Sequence, residues 1–202
     1  MKDLQAMAET LRRRHFQCTV FASAEEAKQA ALALIPQGAS VGFGGSVTVQ
    51  DLHLYEDLQA RGQQVYWHWQ VEKAEMDTAR KHAMDADWYL CSANALTEAG
   101  DIVSTDGSGN RVASMFYGPK EVLFIIGKNK LVRDYEAAID RIRNVASPRN
   151  ARRLGLKTPC AVTGKCNDCD SPQRMCHITG VLHGPTNGRT MHVFLVDEDL
   201  GY

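Results

Sequence analysis

Ala39-Ser-Val-Gly-Phe-Gly-Gly-Ser-Val-Thr48 is the stretch that decides the fold. Ala39 to Phe43 is a brief apolar run of strand type, Gly44 and Gly45 break it, and Ser46 begins a helix. A strand, a glycine turn and a helix start in that order open a βα unit. Glycines at the carboxyl end of a strand let the backbone turn tightly and approach a ligand, and a helix start offers free N–H groups to an anion. Ser46 and Thr48 add hydroxyls. The same residues also suffice for a plain strand-to-helix turn. Neither the Gly-Lys-Ser/Thr ending of a P-loop nor the Gly-x-Gly-x-x-Gly dinucleotide spacing is present.

The alternation continues on both sides. Upstream, residues 1–14 and 24–34 read as amphipathic helices around a short strand, Gln17 to Phe21. Ser23 with Glu25 and Glu26 is favourable chemistry for a helix N-terminus. Downstream come a helix over 52–60, a strand over 64–67, a helix over 73–84 and the apolar strand Trp88 to Ser92. Strands alternating with helices imply a mostly parallel sheet covered on both faces. The segments 100–105 and 111–116 alternate around Asp106-Gly-Ser-Gly-Asn110, which predicts a β-hairpin. A continuous apolar strand at 121–126, a helix over 135–145 that Pro148 ends or re-aims, and a strand over 189–196 complete the pattern.

The 202 residues suit a single domain spanning the whole chain. Lys and Arg number 23 against 24 Asp and Glu, so there is no basic excess to recruit nucleic acid or an anionic membrane. Arg149 to Arg153 reads as a solvated helix face. No apolar segment approaches the ~20 residues of a membrane span, and no signal peptide is visible, which predicts a cytoplasmic protein.

Four of the six cysteines, Cys160, Cys166, Cys169 and Cys176, crowd into the polar segment 155–180. Soft thiolates gathered on one loop suit an iron–sulfur cluster of the 4Fe-4S type, with zinc as the alternative and reduced free thiols as the plain reading. Only Cys166-Asn-Asp-Cys169 has the spacing of a zinc-ribbon knuckle. Lys165 and Arg174 would offset thiolate charge. Cys18 and Cys91 sit in strand contexts as small buried hydrophobes. The seven histidines form no His-Glu-x-x-His motif.

Asn94-Ala-Leu-Thr97-Glu98-Ala-Gly100 follows a strand end, where open α/β sheets gather functional groups. Glu98 is the candidate general base or nucleophile, with Asn94 and Thr97 to orient a substrate; a solvated polar turn is the alternative. Lys130, after the strand ending at Gly127, offers a cation near the same sheet edge.

Gly42-Phe-Gly-Gly-Ser-Val-Thr48, Asn94-Ala-Leu-Thr-Glu-Ala-Gly100, Gly107-Ser-Gly-Asn-Arg111, Gly127-Lys-Asn-Lys130, Pro148-Arg-Asn150 and the cysteine tail together resemble the LUD-domain family, the lactate-utilisation proteins of the LutC/YkgG type. That resemblance implies a three-layer α/β fold similar to the NagB/RpiA/CoA-transferase-like group. It implies a redox-associated part in the oxidation of L-lactate to pyruvate, beside partners that carry iron–sulfur centres. It also implies a pocket for an anionic small molecule built from Gly44, Gly45, Ser46, Thr48, Asn94, Thr97, Glu98, Asn110 and Lys130. An isomerase or acyl-transfer enzyme using Glu98, and a zinc-stapled interaction module, are the alternatives on the same scaffold.

Overall fold

A computed structural model describes residues 3–202. Among the described residues ten strands run in chain order: β1 Gln17–Phe21, β2 Val41–Phe43, β3 Val65–Tyr66, β4 Trp88–Cys91, β5 Ala95–Thr97, β6 Ile102–Asp106, β7 Glu121–Gly127, β8 Leu131–Val132, β9 Ile178–Leu182 and β10 Thr190–Val196. The helices are α1 Leu4–Arg13, α2 Ala24–Leu34, α3 Val47–Asp51, α4 Leu54–Ala60, α5 Met76–Asp85, α6 Asn110–Phe116, α7 Tyr135–Arg141, α8 Ser147–Arg153 and α9 Pro159–Thr163. The helix expected over 1–14 is seen from Leu4 to Arg13; its first two positions lie outside the described residues.

Six strands form a wholly parallel sheet in the order β1-β10-β7-β4-β2-β3. Its central strands are continuous apolar runs because both faces are covered, as parallel sheets require. Side chains alternate between the faces. Val122, Phe124 and Ile126 enter one core with Leu4, Met7 and Leu11 of α1. Leu123 and Ile125 enter the other with Ala27, Ala31, Leu54 and Leu58 of α2 and α4. A second, mixed sheet in the order β8-β5-β6-β9 backs the first core through Leu96, Ile102 and Leu182. Its outer side packs on α7 through Ala95, Val103, Ala138 and Ile142. The molecule is therefore a mixed α/β fold with a mostly parallel central sheet. Among the described residues no helix is long and apolar enough to cross a membrane.

Two local expectations are corrected. Residues 111–116 are helical, so the hairpin around Asp106 does not form. Val112, Met115 and Phe116 fit a helical stripe as well as an alternating one. The balance tips because Gly109 takes φ +80° and the Asp106 carboxylate accepts from the Val112 N–H at 2.8 Å, holding the first turn. The real antiparallel partners of β6 are β5 and β9. Of the two outcomes expected at Pro148, an end to the helix does not occur. A π-helical turn, Ile142–Ala146, absorbs the offset after α7, and Pro148 stands in the first turn of α8, where its missing N–H is harmless.

Candidate functional site

The carboxyl ends of β2, β3, β4 and β7 open onto one cavity of about 230 Å³, the usual place for a ligand in a parallel α/β sheet. Gly45, Ser46 and Thr48 follow β2, His68 and Trp69 follow β3, Ser92 and Asn94 follow β4, and Lys130 follows β7. Of the residues expected at a ligand site, Gly45, Ser46, Thr48, Asn94, Asn110 and Lys130 line this cavity. Gly44 stands just behind it: a Cβ there would lie 3.0 Å from the Arg111 side chain and 3.1 Å from Cys91. Gly45 makes room for the Trp69 ring, 3.2 Å from where its Cβ would be. Both glycines thus clear space for neighbouring protein groups.

Lys130 forms the floor. It is 3% exposed, and its Nζ donates to Thr48 Oγ1 at 2.7 Å and Ser92 Oγ at 2.9 Å. Burial, reinforced by the Arg141 and Arg111 cations, pushes its pKa down to about 7, against a weaker pull from Asp51. The neighbouring Cys91 thiol is pushed up to about 12 by burial, so at neutral pH it is protonated and supplies no anion.

The unfolded pKa of a lysine is about 10.4. Between about pH 7 and that value the unfolded chain binds more protons than the native one, and stability rises with pH. Below about pH 7 both states are protonated and the native state bears the whole penalty of a buried charge. Lys130→Met should therefore stabilise the fold at pH 6, by about 2 kcal/mol or roughly 4–8 °C in Tm. The gain should be about half as large at pH 9. Melting curves at the two pH values check this; a gain that grows with pH would contradict the buried-cation reading.

Arg111 lies beside Lys130, and its guanidinium is held through all three nitrogens, with Nη1 making a single contact. Nε and Nη2 donate to Asp106 Oδ1 at 2.9 and 2.7 Å, Nη2 also reaches Asn94 Oδ1 and the Thr105 carbonyl at 2.9 Å each, and Nη1 touches the Ser92 carbonyl at 3.3 Å. Asn94 thereby acts as a brace: its Oδ1 also accepts from the Thr105 N–H at 2.8 Å. His68 is buried, and burial with the Arg80 and Arg153 cations pushes its pKa down to about 4, leaving a neutral imidazole. Its Nδ1 is buried with no hydrogen-bond partner among the described residues. At the mouth, the Arg153 guanidinium lies 4.2 Å over the Trp69 ring and donates to Tyr202 Oη at 3.0 Å and Asn150 Oδ1 at 3.1 Å.

Glu98 and Thr97 are not brought to this cavity. Glu98 is exposed and lines a separate depression with Asp3, Thr10 and Leu131. Thr97 is fully buried, and its hydroxyl accepts from the Asp101 N–H at 2.9 Å, closing the turn between β5 and β6.

The cysteine segment forms part of the cavity wall through Met175. Arg174 ties it together by donating to the carbonyls of Cys169 and Cys176 at 2.6 and 3.2 Å and to Asp168 Oδ1 at 3.0 Å. The His177 N–H reaches the Asp106 carbonyl at 3.0 Å, anchoring the segment beside the cavity. Cys160, Cys166, Cys169 and Cys176 are half-buried free thiols. Cys160 Sγ lies 3.4 Å from Thr158 Oγ1, and Cys166 Sγ accepts from the Asp168 N–H at 3.3 Å. Among the described residues no three His, Cys, Asp or Glu side chains are gathered to hold a metal ion.

Sequence reasoning overlooked His68, Ser92, Arg153 and Tyr202. Ser92 carried a signal, since it follows β4 at the functional sheet edge. Arg153 belongs to an arginine run read as a solvated face, His68 carried the same signal as Ser92 because it follows the strand expected over 64–67, and Tyr202 reaches the cavity only through tertiary packing.

The sequence pattern of the LUD domain matches residues 4–196. The chain belongs to the LUD domain family. Among solved structures this LUD domain is similar to a DUF162 family protein from Deinococcus radiodurans, with a TM-score of 0.54 and 15% sequence identity over 96% of this chain and 95% of that one. At that identity the likeness concerns the fold. No curated protein matches the sequence.

Proposed function

We propose that this LUD domain binds a small organic anion in the cavity over its strand ends and serves lactate utilisation. In that role it would stand beside partner proteins that carry iron–sulfur centres during oxidation of L-lactate to pyruvate. The observation that carries this reading is Lys130, an amine buried at the cavity floor whose Nζ has only hydroxyls as hydrogen-bond partners among the described residues. Among the described residues, Arg111, Lys130 and Arg153 line the cavity against one side-chain carboxylate, that of Asp106, which is paired with Arg111. A carboxylate about 4 Å from the protonated Lys130 gains roughly 4 kcal/mol at an effective dielectric near 20. A site over the carboxyl ends of the strands also agrees with the ligand position in the NagB/RpiA/CoA-transferase-like group.

An isomerase or acyl-transfer enzyme would need its carboxylate in this cavity. The one present, Asp106, is occupied by Arg111 and the Val112 N–H, so no observation favours that alternative.

Thermal-shift and calorimetric titrations with lactate, pyruvate and inorganic phosphate test the reading. A carboxylate should raise Tm at pH 6, with affinity falling above about pH 7 as Lys130 loses its proton. Arg153→Gln should weaken binding by about tenfold, the loss of one charge-assisted contact at the mouth. The reading fails if none of the three anions shifts Tm at pH 6.

A further inference from the structure

We propose that Lys130 is a covalent catalytic residue whose Nζ forms an imine with the carbonyl carbon of a 2-oxo carboxylic acid held in the cavity. This rests on the anion-binding reading above and extends it from charge recognition to chemistry.

The hydrogen bonds around Nζ carry the argument. Thr48 Oγ1 gives its own proton to the Leu200 carbonyl at 3.3 Å, so towards Lys130 it acts as an acceptor. Ser92 Oγ accepts a second N–H. A neutral amine has two N–H groups and one lone pair. With both N–H groups held by hydroxyls, the remaining tetrahedral position on Nζ is left to the lone pair, and Lys130 is one of the residues lining the cavity. An amine stripped of its proton by burial and neighbouring cations is an activated nucleophile, the chemistry lysines supply with carbonyl substrates. The charged and titratable groups that set its state are Arg141, Arg111, Cys91 and Asp51.

The choice of a 2-oxo acid follows from the second cation. Lys130 holds the Ser92 hydroxyl while Arg111 Nη1 touches the Ser92 carbonyl at 3.3 Å. Ser92 thus bridges the nucleophile and the guanidinium, and the carboxylate next to the reacting carbonyl would dock on the Arg111 side. An aldehyde lacks that anchor, and a hydroxy acid has the anchor without the electrophile.

The step balances without an oxidant. The Nζ lone pair attacks the carbonyl carbon, a C–N bond forms, and the π pair moves to oxygen. That oxygen leaves as water carrying one proton from Nζ and one from solvent, and a protonated imine remains. Hydrolysis reverses the sequence.

Incubating the full chain with pyruvate and sodium cyanoborohydride, then measuring intact and peptide masses, tests the step. The expected product is one adduct per chain, equal to pyruvic acid less one water plus the reductant's two hydrogens, on the peptide holding Lys130. Trapping should quicken as pH rises from 6 to about 7.5. L-Lactate should slow it without being trapped. The specific adduct should vanish in Lys130→Met, and in Lys130→Arg, which keeps the cation. Pyruvate that raises Tm yet gives no adduct, or an adduct that persists in both variants, overturns the imine and leaves anion binding intact. If neither pyruvate nor lactate shifts Tm and no adduct forms, both readings fall.

Discussion

Replacing Arg111 by methionine should lower the unfolding free energy by about 3–5 kcal/mol, read from urea melts. The size follows from what the substitution strands. Asp106 and Arg111 form an ion pair at 2.7 Å with side chains only 10% and 9% exposed. Methionine fills much of the same volume and leaves the carboxylate desolvated with the Val112 N–H as its remaining partner. Asn94 Oδ1 and the Thr105 carbonyl lose a donor as well. Removing both charges in Arg111→Met/Asp106→Leu should recover more than half of the loss, because paired burial of ions is close to neutral against an apolar pair. The remainder is the helix-start contact at Val112, about 1 kcal/mol. A single-variant cost under about 1 kcal/mol would show the pair to be hydrated, as surface pairs are.

Gly42→Ala should cost about 3 kcal/mol or more, the upper end of overpacking. A Cβ at Gly42 would lie 2.3 Å from the Ala83 carbonyl oxygen and 2.7 Å from the Ala83 Cα. Both atoms belong to the backbone of α5, so no rotamer change relieves the clash; the helix must back away from β2. Gly38→Ala is the matched comparison. It has open space around its Cβ but φ +88°, so only the left-handed backbone penalty of about 1–2 kcal/mol applies. Equal losses for the two variants in urea melts would refute the close helix–strand contact.

That contact also shows where a one-dimensional reading runs short. The glycines of 42–45 were legible as necessary, but their partners were not. Gly42 accommodates α5, Gly44 accommodates Arg111, and Gly45 accommodates Trp69. The strands β4, β7 and β10 could be read directly because burial on both faces leaves uninterrupted apolar runs. β9 could not: Ile-Thr-Gly-Val-Leu has an exposed start and a central glycine, and becomes a strand by pairing with β6. Residues 111–116 were ambiguous in pattern and were decided by one carboxylate at Asp106.

The site divides in the same way. Ser46, Thr48, Asn94 and Lys130 were found because each follows a strand end. Glu98 follows one too, but β5 belongs to the second sheet, whose ends face elsewhere. The cysteines were conspicuous as a cluster in sequence, whereas their spacing along an irregular segment did not say where each thiol would point.

The sequence by itself determined the layered α/β scaffold, since continuous apolar runs separated by amphipathic helices can be buried only as a covered parallel sheet. Tertiary structure alone decided the chemistry of Lys130. Its hydroxyl partners come from residues 48 and 92 and its depressing cations from 111 and 141. A charge's environment is a sum over neighbours in space, and the spacing of residues along the chain does not contain it.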